Sequence, residues 1–188
     1  MQVKKIRVYG IEESVDASGL PMQIDLKKSK SDPEKRASKL STCKAGTGHD
    51  NFLKGIIVQF DLEYPQYFSP QLQRYNFIDI VSSQSKMHRL TKMRLGEHNC
   101  NDWVRFDIMG IVNNLIDDYN KEPSYDNFMA VISNCPLGFE LWMRISTNYL
   151  QLKTIYNQRK NHKLKDDWGV FCAMIEKLPK SYYITGEK

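Results

Sequence analysis

Apolar and polar residues alternate most clearly between Gly55 and Glu63. Ile56, Val58, Phe60 and Leu62 fall on one side and Gln59, Asp61 and Glu63 on the other. That period of two predicts a half-buried strand, which Pro65 stops. A second alternation, Phe139, Leu141, Met143 and Ile145, predicts a second strand. Val3 to Val8 reads as a third, shorter strand with Ile6 and Val8 on one face. Helical spacing marks other stretches. Asp32 as cap and Pro33 at the first position open a helix that ends near Cys43. Phe106, Met109, Val112, Ile116 and Tyr119 form the core stripe of the longest helix, with Asn101 or Asp102 as its expected cap. A shorter helix spans about Tyr125 to Ile132. Asp166 begins a last one, with Trp168, Phe171, Cys172 and Ile175 inward and Leu178-Pro179 as its close. Residues 10 to 31, with Gly10, Gly19, Pro21 and the cluster Lys27, Lys28 and Lys30, predict loop with room for one short strand.

One helix departs from a plain packing pattern. Thr147 is its expected cap, and Asn148, Leu152, Ile155 and Arg159 share one face. An amide and a guanidinium bracketing two apolar groups is an unusual stripe. A buried Arg needs a partner, either a carboxylate of the protein or a bound anion. The densest run of polar chemistry lies earlier. Ser69-Pro70 starts a helix that places Gln71 and Arg74 on one face. After an apolar Phe77–Val81 comes Ser82, Ser83, Gln84, Ser85, Lys86, Met87 and His88. Hydroxyls, an amide, an ammonium and an imidazole together suit a phosphate, and the same residues also make an ordinary surface loop.

The 188 residues suffice for one domain with a real core, residues 1–188, rather than two. With 41% hydrophobic and 26% charged residues the composition is that of a globular protein. A net charge of +5 fits an anionic ligand and is too mild to argue for nucleic acid, although lysine clusters leave a basic nucleic-acid-associated protein as a weaker reading. Cys43, Cys100, Cys135 and Cys172 lie far apart and form no paired motif, which speaks for a reducing compartment. His88, His98 and Cys100 match no metal-ligand spacing, so no metal is expected. No apolar run reaches membrane-spanning length and the first residues lack a signal-peptide core, so a cytoplasmic protein is expected.

Taken in order, Gly48-His49, the strand to Glu63, Pro65, Gln71-x-x-Arg74, Pro136, Asn148, Leu152 and Arg159 resemble the flavin-dependent thymidylate synthases, ThyX. The similar blocks, roughly residues 48 to 86 and 132 to 163, cover about a third of the chain. The resemblance implies an α+β fold, an antiparallel sheet packed with helices. It further implies a homotetramer whose FAD and dUMP sites form where subunits meet, and transfer of a methylene from methylene-tetrahydrofolate to carbon 5 of dUMP. Under it, Gln71, Arg74, Ser82, Ser83, Gln84, Ser85, Lys86 and Arg159 would contact nucleotide. Arg159 and Ser85 would be catalytic, and His49, Asn51, Tyr75, Asn148 and His162 would face the flavin. The chain departs from the family pattern at several points. Tyr75 and Asn76 stand where the family has a His and an Arg. Without gaps its Glu, Ser and Arg fall on Ser82, Gln84 and Lys86; with one insertion Ser85 takes the Ser and Met87 the Arg. Ile132 stands where the family has an Arg before its Leu-Pro pair. An oligomeric, non-catalytic nucleotide binder on the same scaffold is the alternative that these departures imply.

Overall fold

A computed structural model describes residues 1–25, 32–44 and 46–186. The lysine cluster Lys27, Lys28 and Lys30 lies outside them. In chain order the elements are β1 (Gln2–Tyr9), α1 (Ile11–Ala17), α2 (Pro33–Ser41), β2 (Ile57–Pro65), α3 (Ser69–Leu72), β3 (Asp79–Ser83) and α4 (Lys86–Arg89). They continue with α5 (Phe106–Lys121), α6 (Tyr125–Asn134), β4 (Glu140–Asn148), α7 (Tyr149–Arg159), α8 (Lys165–Glu176) and α9 (Tyr182–Thr185). The strands form one antiparallel sheet in the order β1-β2-β4-β3, an α+β architecture.

The described residues gather into two compact units. One comprises Met1–Gln2, Asp61–Arg74 and Ile80–Arg144; the other comprises Val3–Phe60, Tyr75–Asp79 and Ile145–Lys188. In the first, Leu62, Phe68, Leu72, Met109, Val112, Ile116 and Val131 are buried, and Tyr119 on α5 meets Phe128 on α6. In the second, Ile56, Val58, Phe60, Leu152, Ile155, Trp168, Phe171 and Ile175 are buried, with Phe60 edge-on to Phe171. The alternating residues of the two central strands therefore do form the core, as their period requires.

Several local expectations are corrected. Residues 11–17 are helical, not loop, and residues 20–22 form a short 3-10 turn. Gly10 makes the helix possible: it enters α1 at φ 73° with its α-carbon so close to Gly55 that a side chain would collide with the Gly55 carbonyl oxygen at 2.7 Å. β2 begins at Ile57, because Gly55 and Ile56 close a 3-10 turn over Asn51–Gly55. The helix opened by Ser69-Pro70 stops at Leu72, so Arg74 lies beyond it and shares no helical face with Gln71. Ser82 and Ser83 end β3 rather than lie in a loop, and Lys86 to His88 are in α4. α5 starts at Phe106 behind Arg105, not behind Asn101 or Asp102, and Phe106 is exposed rather than part of the core stripe. α7 is capped by Asn148, whose side-chain oxygen accepts from the Gln151 amide at 2.9 Å; Thr147 instead donates to the Phe77 carbonyl at 2.6 Å. α6 runs on to Asn134, α8 begins one residue early at Lys165, and the short α9 was not expected.

One ion pair in the second unit is largely removed from water. The Lys153 ammonium on α7 donates to Asp50 at 2.7 Å and to the Ser41 carbonyl at 2.6 Å, with side chains only 12% and 3% exposed. Removing the cation would strand a buried carboxylate, a loss of about 3–5 kcal/mol. Lys153→Met is expected to lower the unfolding free energy by about that amount in urea titration; a change under about 1 kcal/mol would show that Asp50 finds water or another donor.

Candidate functional site

The second unit holds the chemically distinctive group. Trp168 is fully buried, and among the side chains that pack on its ring are Arg159 with its guanidinium carbon 4.6 Å from the ring centre, Tyr75 edge-on at 6.4 Å, His162 edge-on at 6.1 Å and Phe171 edge-on at 5.6 Å. Arg159 also donates its Nε hydrogen to the Tyr75 hydroxyl at 2.7 Å, and that hydroxyl donates to Gln158 Oε1 at 3.0 Å. Among the described residues no carboxylate pairs with Arg159, and its two terminal nitrogens donate to nothing. The partner that a half-buried Arg requires is here a phenol oxygen and two aromatic faces, which attract the cation while leaving most of its donors open.

His162 Nδ1 accepts from the Leu164 amide at 3.1 Å, so in the neutral ring the proton sits on Nε2. Burial first, then the charges of Arg159 and Lys163, hold this imidazole below its ordinary value. His162 and Arg159 are joined by the indole between them. Trp168 itself was read as core only, and nothing in a four-residue packing period distinguishes a core indole from one that also carries a cation.

A second feature lies at the other end of α7. Lys54, Phe77, Asn148, Leu150, Gln151 and Thr154 line a recess of about 130 Å³. Asn148 and Gln151 are over nine-tenths buried. Their side-chain oxygens are fixed by the Gln151 and Phe77 backbone amides, at 2.9 and 3.4 Å. Their amide nitrogens therefore form the outward ends, and among the described residues these donate to nothing. Phe77 is held by its backbone, between Gln151 and Thr147, and shows more than half its ring to solvent. The arrangement offers two amide donors, an ammonium and an aromatic face at a helix N-terminus. It suits the acceptor-rich edge of a planar heterocycle. Gln151, Lys54 and Phe77 had not been singled out from the sequence; Gln151 falls three residues after the cap, where an inward polar residue on a helix is the available clue.

The other residues singled out from the sequence are distributed as follows. His49 and Asn51 are exposed on either side of buried Asp50, whose ion pair with Lys153 ties their turn to α7. In the first unit Gln71 is half-buried, while Arg74 is exposed and without a side-chain partner among the described residues. Ser82 and Ser83 are exposed on β3. Gln84 is bound into the fold: its amide donates to the Trp142 carbonyl at 2.8 Å and its side-chain oxygen accepts from the Trp142 amide at 3.1 Å and from Arg89. Ser85 Oγ caps α4 by accepting from the His88 amide at 3.4 Å, and Lys86 is half-buried. No group of three or more His, Cys, Asp or Glu side chains among the described residues could hold a metal, and no described helix is long and apolar enough to cross a membrane.

Two solved structures of flavin-dependent thymidylate synthase ThyX from Helicobacter pylori, both with FAD and dUMP, resemble this chain along nearly its whole length. One aligns with a TM-score of 0.74 at 13% identity over 97% of this chain and 96% of that one. The other has a TM-score of 0.78 at 12% identity over 99% and 98%. The chain has the ThyX fold. The sequence matches no family model and no curated protein.

The His162 ring gives a direct test of this geometry. Its titration by NMR is expected below 6.5, with its contribution to stability present above that pH and lost as pH falls, and Arg159→Ala should move it upward by removing a cationic neighbour. A His162 that titrates identically in wild type and Arg159→Ala would remove the arginine's charge as a cause of the lowered value.

Proposed function

We propose that this chain, which has the fold of flavin-dependent thymidylate synthase, binds a dUMP-like nucleotide through Arg159 and a flavin through the Asn148 end of α7, as an oligomer that methylates dUMP. The observation that carries the reading is Arg159: a half-buried guanidinium held on Trp168 and by Tyr75, with no carboxylate among the described residues to neutralise it. A desolvated cation with open donors favours an anion or a polarised carbonyl. On a pyrimidine ring, its fork would stabilise the negative charge that gathers on a ring oxygen as carbon 5 becomes nucleophilic. Ser85 enters as a hydroxyl donor, since its oxygen caps α4 and its proton is left over. On a neighbouring copy, exposed Ser82, Ser83 and Arg74 and half-buried Lys86 supply hydroxyl and cationic groups for the phosphate.

The two solved structures hold FAD, and the recess at the Asn148 end of α7 offers part of a flavin site. The outward amide nitrogens of Asn148 and Gln151 match the carbonyl edge of a flavin, and Phe77 offers a ring to stack on. The recess is far below the roughly 300–1,000 Å³ of a typical ligand pocket, so it would take one edge and leave the rest to other surfaces. Bound reduced flavin would supply the hydride; the chain's share is to orient the ring and, with His49, Asn51 and His162, to surround it. A neighbouring copy is the natural source of the missing cover. Trp103, Phe106, Ile111, Tyr125 and Leu137 of the first unit are large apolar side chains exposed to solvent, surface that neighbouring copies in a homotetramer would cover.

A second reading has its own observation. Gln84 spends its side-chain oxygen on Trp142 and Arg89, and Tyr75 turns inward, so two positions at which the resemblance places ligand contacts serve the fold instead. This favours a nucleotide binder that does not carry flavin. Titration calorimetry with dUMP and absorbance after FAD reconstitution separate the two. Both ligands should bind to the wild type, and Arg159→Ala should weaken dUMP at least tenfold, the loss of one charge-assisted interaction of about 1.5–3 kcal/mol. Binding of dUMP by a protein that ignores FAD would select the non-catalytic reading; binding of neither would end both.

A further inference from the structure

Tyr75 occupies a position that the resemblance turns toward the flavin. Its ring is buried, with 8% exposure, and lies edge-on to Trp168. Its hydroxyl has a different use. It accepts from Arg159 Nε at 2.7 Å and donates to Gln158 Oε1 at 3.0 Å, so both the oxygen's lone pair and its proton have assigned partners. Arg159 lies over the Trp168 ring at 4.6 Å and within 5.6 Å of the Tyr75 ring centre.

The consequence for the guanidinium is geometric. A planar fork on an indole face can still rotate in its plane about the ring normal, and the cation–π attraction resists that rotation little. One hydrogen bond from Nε, directed at a fixed phenol oxygen, removes this freedom. It uses the single donor that points back along the side chain and spares the four N–H groups of Nη1 and Nη2. Gln158 in turn fixes the hydroxyl rotor, so that the oxygen presents a lone pair to Arg159. From these contacts we infer that Tyr75 is a positioning residue: together with Gln158 it locks Arg159 in the plane of the Trp168 face before ligand arrives, so that the nucleotide meets a fork already set. The inference rests on the nucleotide reading above for its effect on binding, but not for the lock itself.

The lock should be visible without ligand. In wild-type protein the Arg159 Nε–Hε NMR cross-peak, identified by its absence in Arg159→Lys, is expected to be sharp and slow to exchange with water. Tyr75→Phe, which keeps the ring, should broaden or shift that peak and raise the dUMP Kd about tenfold. In the Arg159→Lys background, Tyr75→Phe should change dUMP affinity no further, since the lock has already gone. Should Tyr75→Phe not fold, Gln158→Leu at its exposed position should broaden the same peak by freeing the hydroxyl. An unchanged Arg159 peak in the hydroxyl-deleted or rotor-freed protein overturns the lock; a wild type that binds dUMP no more tightly than Tyr75→Phe overturns its role in positioning the nucleotide. A wild type that shows the sharp peak, loses it in Tyr75→Phe and yet ignores dUMP keeps the lock and removes the nucleotide reading.

Discussion

A guanidinium resting on a buried indole is the contact on which the chemistry of the second unit depends. Had Arg159 been paired with a carboxylate, its charge would be neutralised and its fork occupied. An aromatic face attracts the cation through its quadrupole and takes no N–H group in exchange. Trp168 can serve because it is itself immobile, fully buried and edge-on to Phe171. An indole face, a phenol that takes only Nε and an imidazole held below its ordinary value by burial and then by its cationic neighbours together surround a half-buried positive charge.

Helix α7 carries this group and the recess on one rigid element. Asn148 caps it and Arg159 ends it, roughly 16 Å apart along the axis. The helix dipole favours electron-rich groups at the Asn148 end and the arginine's charge at the other. Between them Lys153 reaches Asp50 and secures the turn that bears His49 and Asn51. A residue read from sequence as one member of a stripe thus turns out to sit on an element whose two ends face opposite chemical demands.

Much of the frame was legible because burial imposes a period. β2 and β4 alternate as the sequence does, and Asp32-Pro33 starts α2 as its chemistry requires, with the Asp32 carboxylate accepting from the Glu34 and Lys35 amides. What escaped has physical reasons. β3 is exposed at all five positions, so there is no inward face for alternation to register. α1 is seven residues between glycines, and Gly10 reads as a loop residue although its left-handed backbone is the entry to the helix. Thr147 and Asn148 are both good caps; only the fold shows that the threonine hydroxyl is spent on Phe77. In the site, Arg159 and Asn148 could be found from their helical spacing. The Asp50–Lys153 pair joins residues 103 positions apart, and the Tyr75 hydroxyl meets a residue 84 positions away. No local pattern carries such contacts.

The departures from the resembled pattern acquire a common direction once the contacts are known. At position 75 a phenol turns inward and grips the arginine; at position 84 an amide stitches β3's end to the backbone of β4 at Trp142. Both place a neutral side chain with one strong acceptor where the resemblance has residues for a ligand, and in both the acceptor is filled by the protein itself. A buried acceptor left empty is costly, so such exchanges persist only if the fold supplies a donor, and here Arg159 Nε and the Trp142 amide do so. Tyr75 and Gln84 thus serve the fold, while on α7 the outward donors of Asn148, Gln151 and Arg159 have no partner among the described residues. A chain can in this way hold a fold at 12–13% identity while the side chains at positions such as 75 and 84 take up contacts within the fold.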